Sequence, residues 1–158
     1  MTNSSCAKED FTLWVLLRQA GHTVYQATEK ELSQYGISPE EAAVLSIVGV
    51  LDNKATPTEI SRWLLRKPHT VSGILSRMEK KGLVRKTKDL KRKNLVRVTL
   101  TEKGQQAHYQ SSKVESIRQI MSSLSEEERQ QLGSCLKTLR DRALKELGIE
   151  EPPFPPSQ

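Results

Sequence analysis

The sequence predicts a mainly α-helical chain with one small β-hairpin, and two patterns lead to this fold class. Apolar residues recur at steps of three and four through most of the 158 residues, which is the period of an amphipathic helix. Between about residues 84 and 100 the period changes to two, where Val96, Val98 and Leu100 alternate with polar side chains. The length suits one domain with a sizeable core.

The helix predicted over 68–81 has two contrasting faces. Its apolar residues fall at i, i+3, i+4 and i+7 and so share one face: Val71, Ile74, Leu75 and Met78. A surface helix usually carries long charged side chains on its other face, but here that face is mostly small or able to hydrogen-bond: His69, Ser72, Gly73, Ser76 and Lys80. Such a face suits insertion into the major groove of DNA, so the pattern predicts a recognition helix.

Start and stop signals around this helix are strong. A short helix is predicted over 56–65, and Pro68 begins the next one after a break of only a few residues. Two short helices joined by a tight turn form a helix-turn-helix. At the other end, Gly82 suits a left-handed helix terminus, with Leu83 placed to contact Met78.

Two strands are predicted after this motif, over 84–87 and 95–100, and the loop over 88–94 joins them. The loop is too basic to cover a core, and four cations would project from its tip: Lys88, Lys91, Arg92 and Lys93. Cationic side chains at such a tip contact phosphates or enter a narrow minor groove, where negative potential is concentrated. The hairpin is therefore interpreted as a wing.

Further helices are predicted on both sides of this unit. A helix over 39–51, opened by a Ser38 and Glu41 capping box, is apolar nearly all round and is expected at the centre of the domain. Longer amphipathic helices are predicted over 10–32, 101–124 and 125–148. The last two are expected to form a hairpin with apolar surface left over, which a second copy of the chain would cover.

These elements predict one mainly α-helical architecture with a small β-wing. Residues 37–100 are expected to form a winged helix-turn-helix DNA-binding domain, and 10–36 together with 101–148 a helical dimerisation region. The ends of the chain, 1–9 and 149–158, are expected to be flexible tails. The second tail is rich in proline and is expected to be extended.

Positive charge is concentrated in the middle third of the chain. Residues 54–104 carry 15 basic and 4 acidic side chains, which gives that segment a net charge of +11, whereas the remainder is net acidic. Charge runs are often only a solvated surface. Here the basic segment coincides with the patterned helix and the wing, so we expect a polyanion partner, double-stranded DNA.

Other classes of function are not favoured by the residues. The three histidines, at 22, 69 and 108, have no metal-ligand spacing, and there is no nucleophile elbow or phosphate-binding loop, so no enzyme, cofactor or metal site is expected. Cys6 and Cys135 are isolated and are interpreted as ordinary thiols, with a redox sensor at Cys6 as the alternative. With no long apolar run and no signal peptide, a cytoplasmic protein without membrane contact is expected.

The order of helices, helix-turn-helix, wing and two C-terminal helices resembles the MarR family of bacterial transcriptional regulators over roughly residues 10–148. The resemblance is carried by TVSGILSRMEKKGLVRK at 70–86 and VTLTEKG at 98–104. It implies a homodimer with two winged lobes on a helical base, which binds a pseudo-palindromic promoter operator and most simply acts as a repressor.

The resemblance also implies which residues lie at the DNA. On the recognition helix they are Pro68, His69, Thr70, Ser72, Gly73, Ser76 and Arg77. On the wing they are Lys88, Asp89, Lys91, Arg92, Lys93 and Arg97. The family usually has Asp-x-Arg in the wing, whereas two residues separate Asp89 from Arg92 here, so the cation that enters the minor groove is left open.

Family members often bind small aromatic or phenolic ligands between the two parts of the protein, so the resemblance implies a candidate small-molecule effector. Candidate pocket residues are Trp14, His22, Tyr25 and Trp63, although packing explains each of them at least as well. A rival interpretation of the whole chain is a winged-helix protein-interaction module without specific DNA binding. Such a module would have little reason to keep the strong positive charge.

Overall fold

The computed structural model describes residues 3–92 and 94–150, which contain seven α-helices and one two-stranded antiparallel sheet. The helices are α1 (Asn3–Leu32), α2 (Pro39–Leu51), α3 (Pro57–Leu64), α4 (Pro68–Lys80), α5 (Glu102–Ser111), α6 (Glu115–Met121) and α7 (Glu126–Leu147). The strands are β1 (Val84–Lys88) and β2 (Val96–Leu100). None of the described helices is both long and apolar enough to cross a membrane. The predicted mainly α-helical fold with a small β-wing is confirmed.

The hydrophobic core is built around α2, as its composition predicted. Val44, Leu45 and Val48 have almost no exposed surface, and they pack against buried side chains of α3, α4, β1, β2 and α5. The predicted capping box starts α2: the Ser38 hydroxyl accepts from the Glu41 N–H, and the Glu41 carboxylate accepts from the Ser38 N–H. A nearly apolar helix is stable here because neighbouring elements cover it on several sides.

Helix α4 has the two faces that its sequence predicted. Val71, Ile74, Leu75 and Met78 are buried in the core. Beyond the helix, Gly82 adopts a left-handed φ of 72°, its N–H donates to the Glu79 carbonyl, and the Leu83 N–H donates to the Met78 carbonyl. This pair of bonds is the Schellman arrangement, which ends the helix and turns the chain directly into β1.

The wing is a two-stranded hairpin that also makes one backbone hydrogen bond to the segment before α3. Val84 pairs with Leu100 at its base and Lys88 with Val96 at its outer end. On the other side of β2, the Val98 N–H donates to the Ala55 carbonyl over 2.9 Å. The base of the wing is therefore held to the segment that links α2 with α3.

The single helix expected over 101–124 is wrong, because the chain forms α5 and α6 with a break between them. The hydroxyl groups of Ser111 and Ser112 donate to the carbonyls of His108 and Tyr109, and such local bonds compete with helix continuation. The N-terminus of α6 is capped from a distance by the Glu31 carboxylate of α1, which accepts from two backbone N–H groups over 2.8 Å each.

Two expectations about the ends of the chain also need correction. Helix α1 begins at Asn3, so residues 3–9 are helical rather than part of a tail. The expected hairpin of the last two helices does not form, since α7 does not pack along α6 and only Leu144 of α7 is buried. The periodic apolar stripe of α7 is left exposed instead. Most of the proline-rich C-terminal tail, 151–158, lies outside the described residues.

Candidate nucleic-acid interface

The outer face of α4 presents the side chains that the sequence predicted. Gly73 and Ser76 are half-buried, and the other residues of the predicted set are exposed: Pro68, His69, Thr70, Ser72 and Arg77. The side chain of Lys67, the N-cap residue of α4, makes no capping hydrogen bond. First-turn N–H groups of such a helix, at the positive end of its dipole, suit an incoming phosphate.

The turn before α4 is held in a tight conformation. Leu65 has a left-handed φ of 52°, which is costly for a residue other than glycine. The turn is closed by Ser61 and Arg66, whose bonds run both ways: the Ser61 hydroxyl donates to the Arg66 carbonyl over 2.6 Å, and the Arg66 N–H donates to the Ser61 carbonyl. These bonds fix the angle at which α4 leaves α3.

Asp89 organises the tip of the wing. One carboxylate oxygen accepts from the N–H groups of Lys91 and Arg92 over 2.8 and 3.1 Å, and the other accepts from Nε of Arg97 over 3.0 Å. The Lys91 N–H, the Arg97 guanidinium and the Arg92 N–H together hold the pKa of Asp89 below its usual range. The carboxylate therefore stays ionised at neutral pH.

The predicted wing residues fall into two groups. Asp89 and Arg97 are paired with each other, and Arg97 Nη1 also donates to the Lys54 carbonyl over 3.3 Å. The side chains of Lys88, Lys91 and Arg92 are exposed and make no hydrogen bond or ion pair within the described part of the chain. Lys93, the remaining predicted cation, lies outside the described residues.

Two exposed arginines close to these surfaces were not among the predicted contacts. Arg66 lies in the turn immediately before α4, and Arg85 is exposed on β1. The concentration of basic residues over 54–104 was the signal that could have included them. Both arginines are exposed, whereas the neighbouring Lys86 is half-buried and pairs with Glu79 over 3.0 Å.

A concavity of about 480 Å³ lies between α1, α2 and α4. Its walls include acidic, basic and hydroxyl-bearing side chains: Glu29, Glu40, Arg66, Arg77, Tyr25 and Thr70. The Tyr25 hydroxyl donates to the Glu40 carboxylate over 2.8 Å, and this bond, with partial burial, raises the pKa of Tyr25 to about 12. Thr70 and Arg77, on the outer face of α4, therefore line the same concavity as Tyr25, a predicted effector residue.

The four predicted effector residues do not come together within one chain. Tyr25 lines the concavity, but Trp14, His22 and Trp63 do not. Trp14 is exposed near the start of α1, where its ring lies 5.6 Å from that of Phe11. His22 is exposed on α1, and Trp63 packs against the core because α3 turns its apolar edge inward.

Metal-binding side chains are dispersed in the described part of the chain, where no group of three or more histidine, cysteine, aspartate or glutamate residues is placed to hold an ion. Cys6 and Cys135 are both exposed free thiols.

Comparison with known proteins identifies the fold. The sequence model described as the MarR family matches residues 35–93. The organohalide-sensing transcriptional regulator RdhR-CbdbA1625, crystallised with 2,4-dichlorophenol, is 34% identical with a TM-score of 0.85, over 94% of this chain and 89% of that chain. No curated protein sequence matches the chain.

Two DNA complexes have the same fold. The S. aureus MepR–DNA complex is 26% identical with a TM-score of 0.74, over 81% of this chain and 96% of that chain. A cysteine-to-serine variant of E. coli MarR bound to operator DNA is 22% identical with a TM-score of 0.76, over 83% of this chain and 95% of that chain, a likeness of fold alone. The sequence match, the regulator that aligns over almost the whole chain and the winged helix-turn-helix together show that this chain belongs to the MarR family of DNA-binding transcriptional regulators.

Proposed function

We propose that the protein is a homodimeric repressor that occupies a pseudo-palindromic promoter operator. In each lobe, α4 enters the major groove and the wing contacts the backbone or the minor groove. The observation that carries the proposal is the division of α4, whose buried face is fixed in the core while its exposed face consists mainly of small and hydrogen-bonding side chains. A regulator of this kind acts on the chromosome, so we expect it in the cytoplasm.

We expect the residues of α4 and those of the wing to contribute differently to DNA binding. Arg77 suits a guanine edge or a phosphate, and Ser72, Ser76 and Thr70 suit phosphates or less specific base contacts. The exposed Lys88, Lys91 and Arg92 supply phosphate contacts from the wing. We therefore expect sequence preference to depend on α4 and much of the affinity to depend on the wing.

Dimerisation is supported by apolar surface at both ends of the chain. Phe11, Leu13 and Trp14 of α1 are 63%, 65% and 50% exposed, and Leu139 of α7 is 56% exposed. Large apolar side chains so exposed on two helices are typical of an interface, and a second copy of the chain would cover both helices. Size-exclusion chromatography with light scattering should therefore give twice the chain mass.

Control by a small ligand is the second part of the proposal. The similar regulator RdhR-CbdbA1625 was crystallised with 2,4-dichlorophenol, and the concavity beside Tyr25 shares Thr70 and Arg77 with the proposed DNA surface. A ligand held there would compete with DNA for these side chains. Titration with 2,4-dichlorophenol should release labelled DNA, and Tyr25→Phe should change the concentration required.

The decisive test is selection of DNA from a random-sequence library by the purified protein. A dimeric operator binder should enrich an inverted repeat whose half-sites are about one helical turn apart. Its affinity for the selected duplex should fall steeply with salt, because several counterions are released. A protein that enriches no sequence, or whose affinity is independent of salt, would support the interaction module instead.

Single substitutions separate the two surfaces. Arg92→Ala and Lys93→Ala should weaken binding to the selected duplex and to unrelated duplexes alike, because phosphate contacts carry no sequence information. Ser76→Ala and Arg77→Ala should instead alter the selected sequence. Equal binding by all four variants would mean that another surface contacts DNA.

A further inference from the structure

We propose that Arg97 is a positioning residue rather than a DNA contact, and that its pairing with Asp89 holds the tip of the wing so that Lys91 and Arg92 reach the DNA. The inference rests on the proposed function, because it assigns roles within the same DNA-binding surface. It reverses the expectation that Arg97 is one of the wing cations that touch DNA.

The Arg97 side chain bridges two parts of the chain. Its Nε donates to Asp89 over 3.0 Å and its Nη1 donates to the Lys54 carbonyl over 3.3 Å. Only 29% of the side chain is exposed, and 17% of Asp89. One guanidinium thus joins the loop of the wing to the turn that follows α2, and a planar fork with donors in two directions is suited to such a bridge.

This bridge lies beside the backbone contact at the base of the wing. The Val98 N–H donates to the Ala55 carbonyl, and Arg97 and Lys54 are the residues that immediately precede these two. The Arg97 side chain adds a point of attachment one residue nearer to the tip than this bond, which restrains the outer end of the hairpin.

The Asp89 carboxylate connects this bridge to Lys91 and Arg92. While one oxygen of Asp89 accepts from Arg97, the other accepts from the N–H groups of Lys91 and Arg92. An aspartate that bonds to backbone N–H groups two and three residues later fixes a turn. The orientation of Arg97 therefore sets the orientation of the carboxylate, and the carboxylate sets the path of the loop from which the side chains of Lys91 and Arg92 project.

The negative charge of Asp89 allows a positioning role to be distinguished from simple repulsion of DNA. Asp89 is the one acidic residue between Glu79 and Glu102, in a segment that faces a polyanion under the proposed function. If Asp89 only opposed DNA by charge repulsion, its removal would strengthen binding. If Asp89 positions the tip, its removal weakens binding although the net positive charge rises. The two explanations predict opposite signs for one substitution.

The test uses a fluorescein-labelled duplex that carries the sequence selected by the wild-type protein, with affinity measured by fluorescence anisotropy. We expect Asp89→Ala and Arg97→Ala each to weaken binding about tenfold, the effect of losing one or two charge-assisted contacts. The double variant should be no weaker than either single variant, because both remove the same bridge. Arg92→Ala should have little further effect in the Asp89→Ala background.

Arg97→Lys is the conservative control. A lysine keeps the charge and would largely replace a phosphate contact, but its single ammonium group cannot bridge Asp89 and the Lys54 carbonyl as the guanidinium does. We therefore expect Arg97→Lys to bind nearly as weakly as Arg97→Ala. Thermal unfolding of each variant should remain close to that of the wild type, because the bridge lies at the edge of the domain.

The outcomes are distinguishable. If the wild-type protein selects no sequence, the proposed function fails and the duplex for this test does not exist. If the wild type binds its selected duplex but Asp89→Ala binds as tightly or more tightly, the positioning role is overturned. Near wild-type binding by Arg97→Lys, or additive losses in the double variant, would likewise make Arg97 a direct contact.

Discussion

The ammonium group of Lys81 lies 2.8 Å from the carboxylate of Glu41, and this pair ties the end of the recognition helix α4 to the start of α2. Glu41 is only 3% exposed, and the same carboxylate oxygen accepts from the Ser38 N–H. The Lys81 ammonium also donates to the Gly36 carbonyl over 3.0 Å. One glutamate therefore serves both a local helix cap and a contact between elements 40 residues apart along the chain.

Glu41→Ala should be more costly than loss of a helix cap alone. We expect the free energy of unfolding to fall by about 1–3 kcal/mol, because the cap and a hydrogen bond to a charged partner are lost together. Glu128 is the matched control, since it completes the same capping box with Ser125 but is exposed and has no lysine partner in the described residues. Glu128→Ala should cost about 0.5 kcal/mol, measured by urea unfolding. Equal costs would show that the Lys81 contact contributes nothing.

Gly104→Ala should strongly destabilise the protein. A Cβ atom at this position would lie 1.9 Å from the Leu83 carbonyl oxygen, so the backbone of α5 or of the strand entrance must move. We expect a loss of about 3 kcal/mol or somewhat more. At Gly49 the nearest atom would be Nε2 of His108 at 3.1 Å, a side-chain atom that needs to move by only a few tenths of an ångström. Gly49→Ala should therefore remain within about 1 kcal/mol of wild type, and the comparison requires only thermal or urea unfolding.

Gly73→Ala should raise stability and lower DNA affinity at the same time. Among the described residues a Cβ atom at Gly73 would meet only Arg77 Nη1, at an ordinary 3.7 Å, so the helix should gain about 1 kcal/mol from the better propensity of alanine. On the proposed DNA face, however, the added methyl group would separate the helix from the groove. Gly133→Ala in α7 has open space and should raise the unfolding temperature without this loss. Unchanged affinity in Gly73→Ala would place this part of α4 away from the DNA.

The attachment of α6 to α1 should weaken at acid pH, because protonation removes the charge of the Glu31 carboxylate that caps α6. Ser116 beside the carboxylate, with the N–H groups of Glu115 and Ser116, lowers the pKa of Glu31. Because the folded pKa is lowered, the stabilisation is present above the usual glutamate range and is lost as pH falls through the lowered value. The stability advantage of the wild type over Glu31→Gln should therefore be constant near neutrality and be lost as the pH falls below the usual glutamate range. An advantage that persists unchanged in acid would contradict the assignment.

Local signals in the sequence predicted much of the fold. The period of three and four gave the buried face of α4, and Gly82 marked its end, because the dihedral angles and hydrogen bonds of a helix end involve only a few neighbouring residues. The start of α2 at Ser38 followed from the same kind of local signal. The division of α5 from α6 could not be predicted in this way, because the carboxylate that caps α6 comes from Glu31 on another helix.

Some features of the candidate DNA surface could likewise be predicted from local sequence signals, and others could not. The sequence by itself determined that a small-faced helix and a cationic wing exist and that the chain resembles the MarR family, since period, charge and motif spacing are properties of neighbouring residues. Only the tertiary structure decided that Arg97 turns to Asp89 and Lys54, while the side chains of Lys91 and Arg92 have no hydrogen bond or ion pair among the described residues. The direction of a long cationic side chain depends on which acceptors the fold brings within 3 to 4 Å, and residues distant along the chain supply those acceptors.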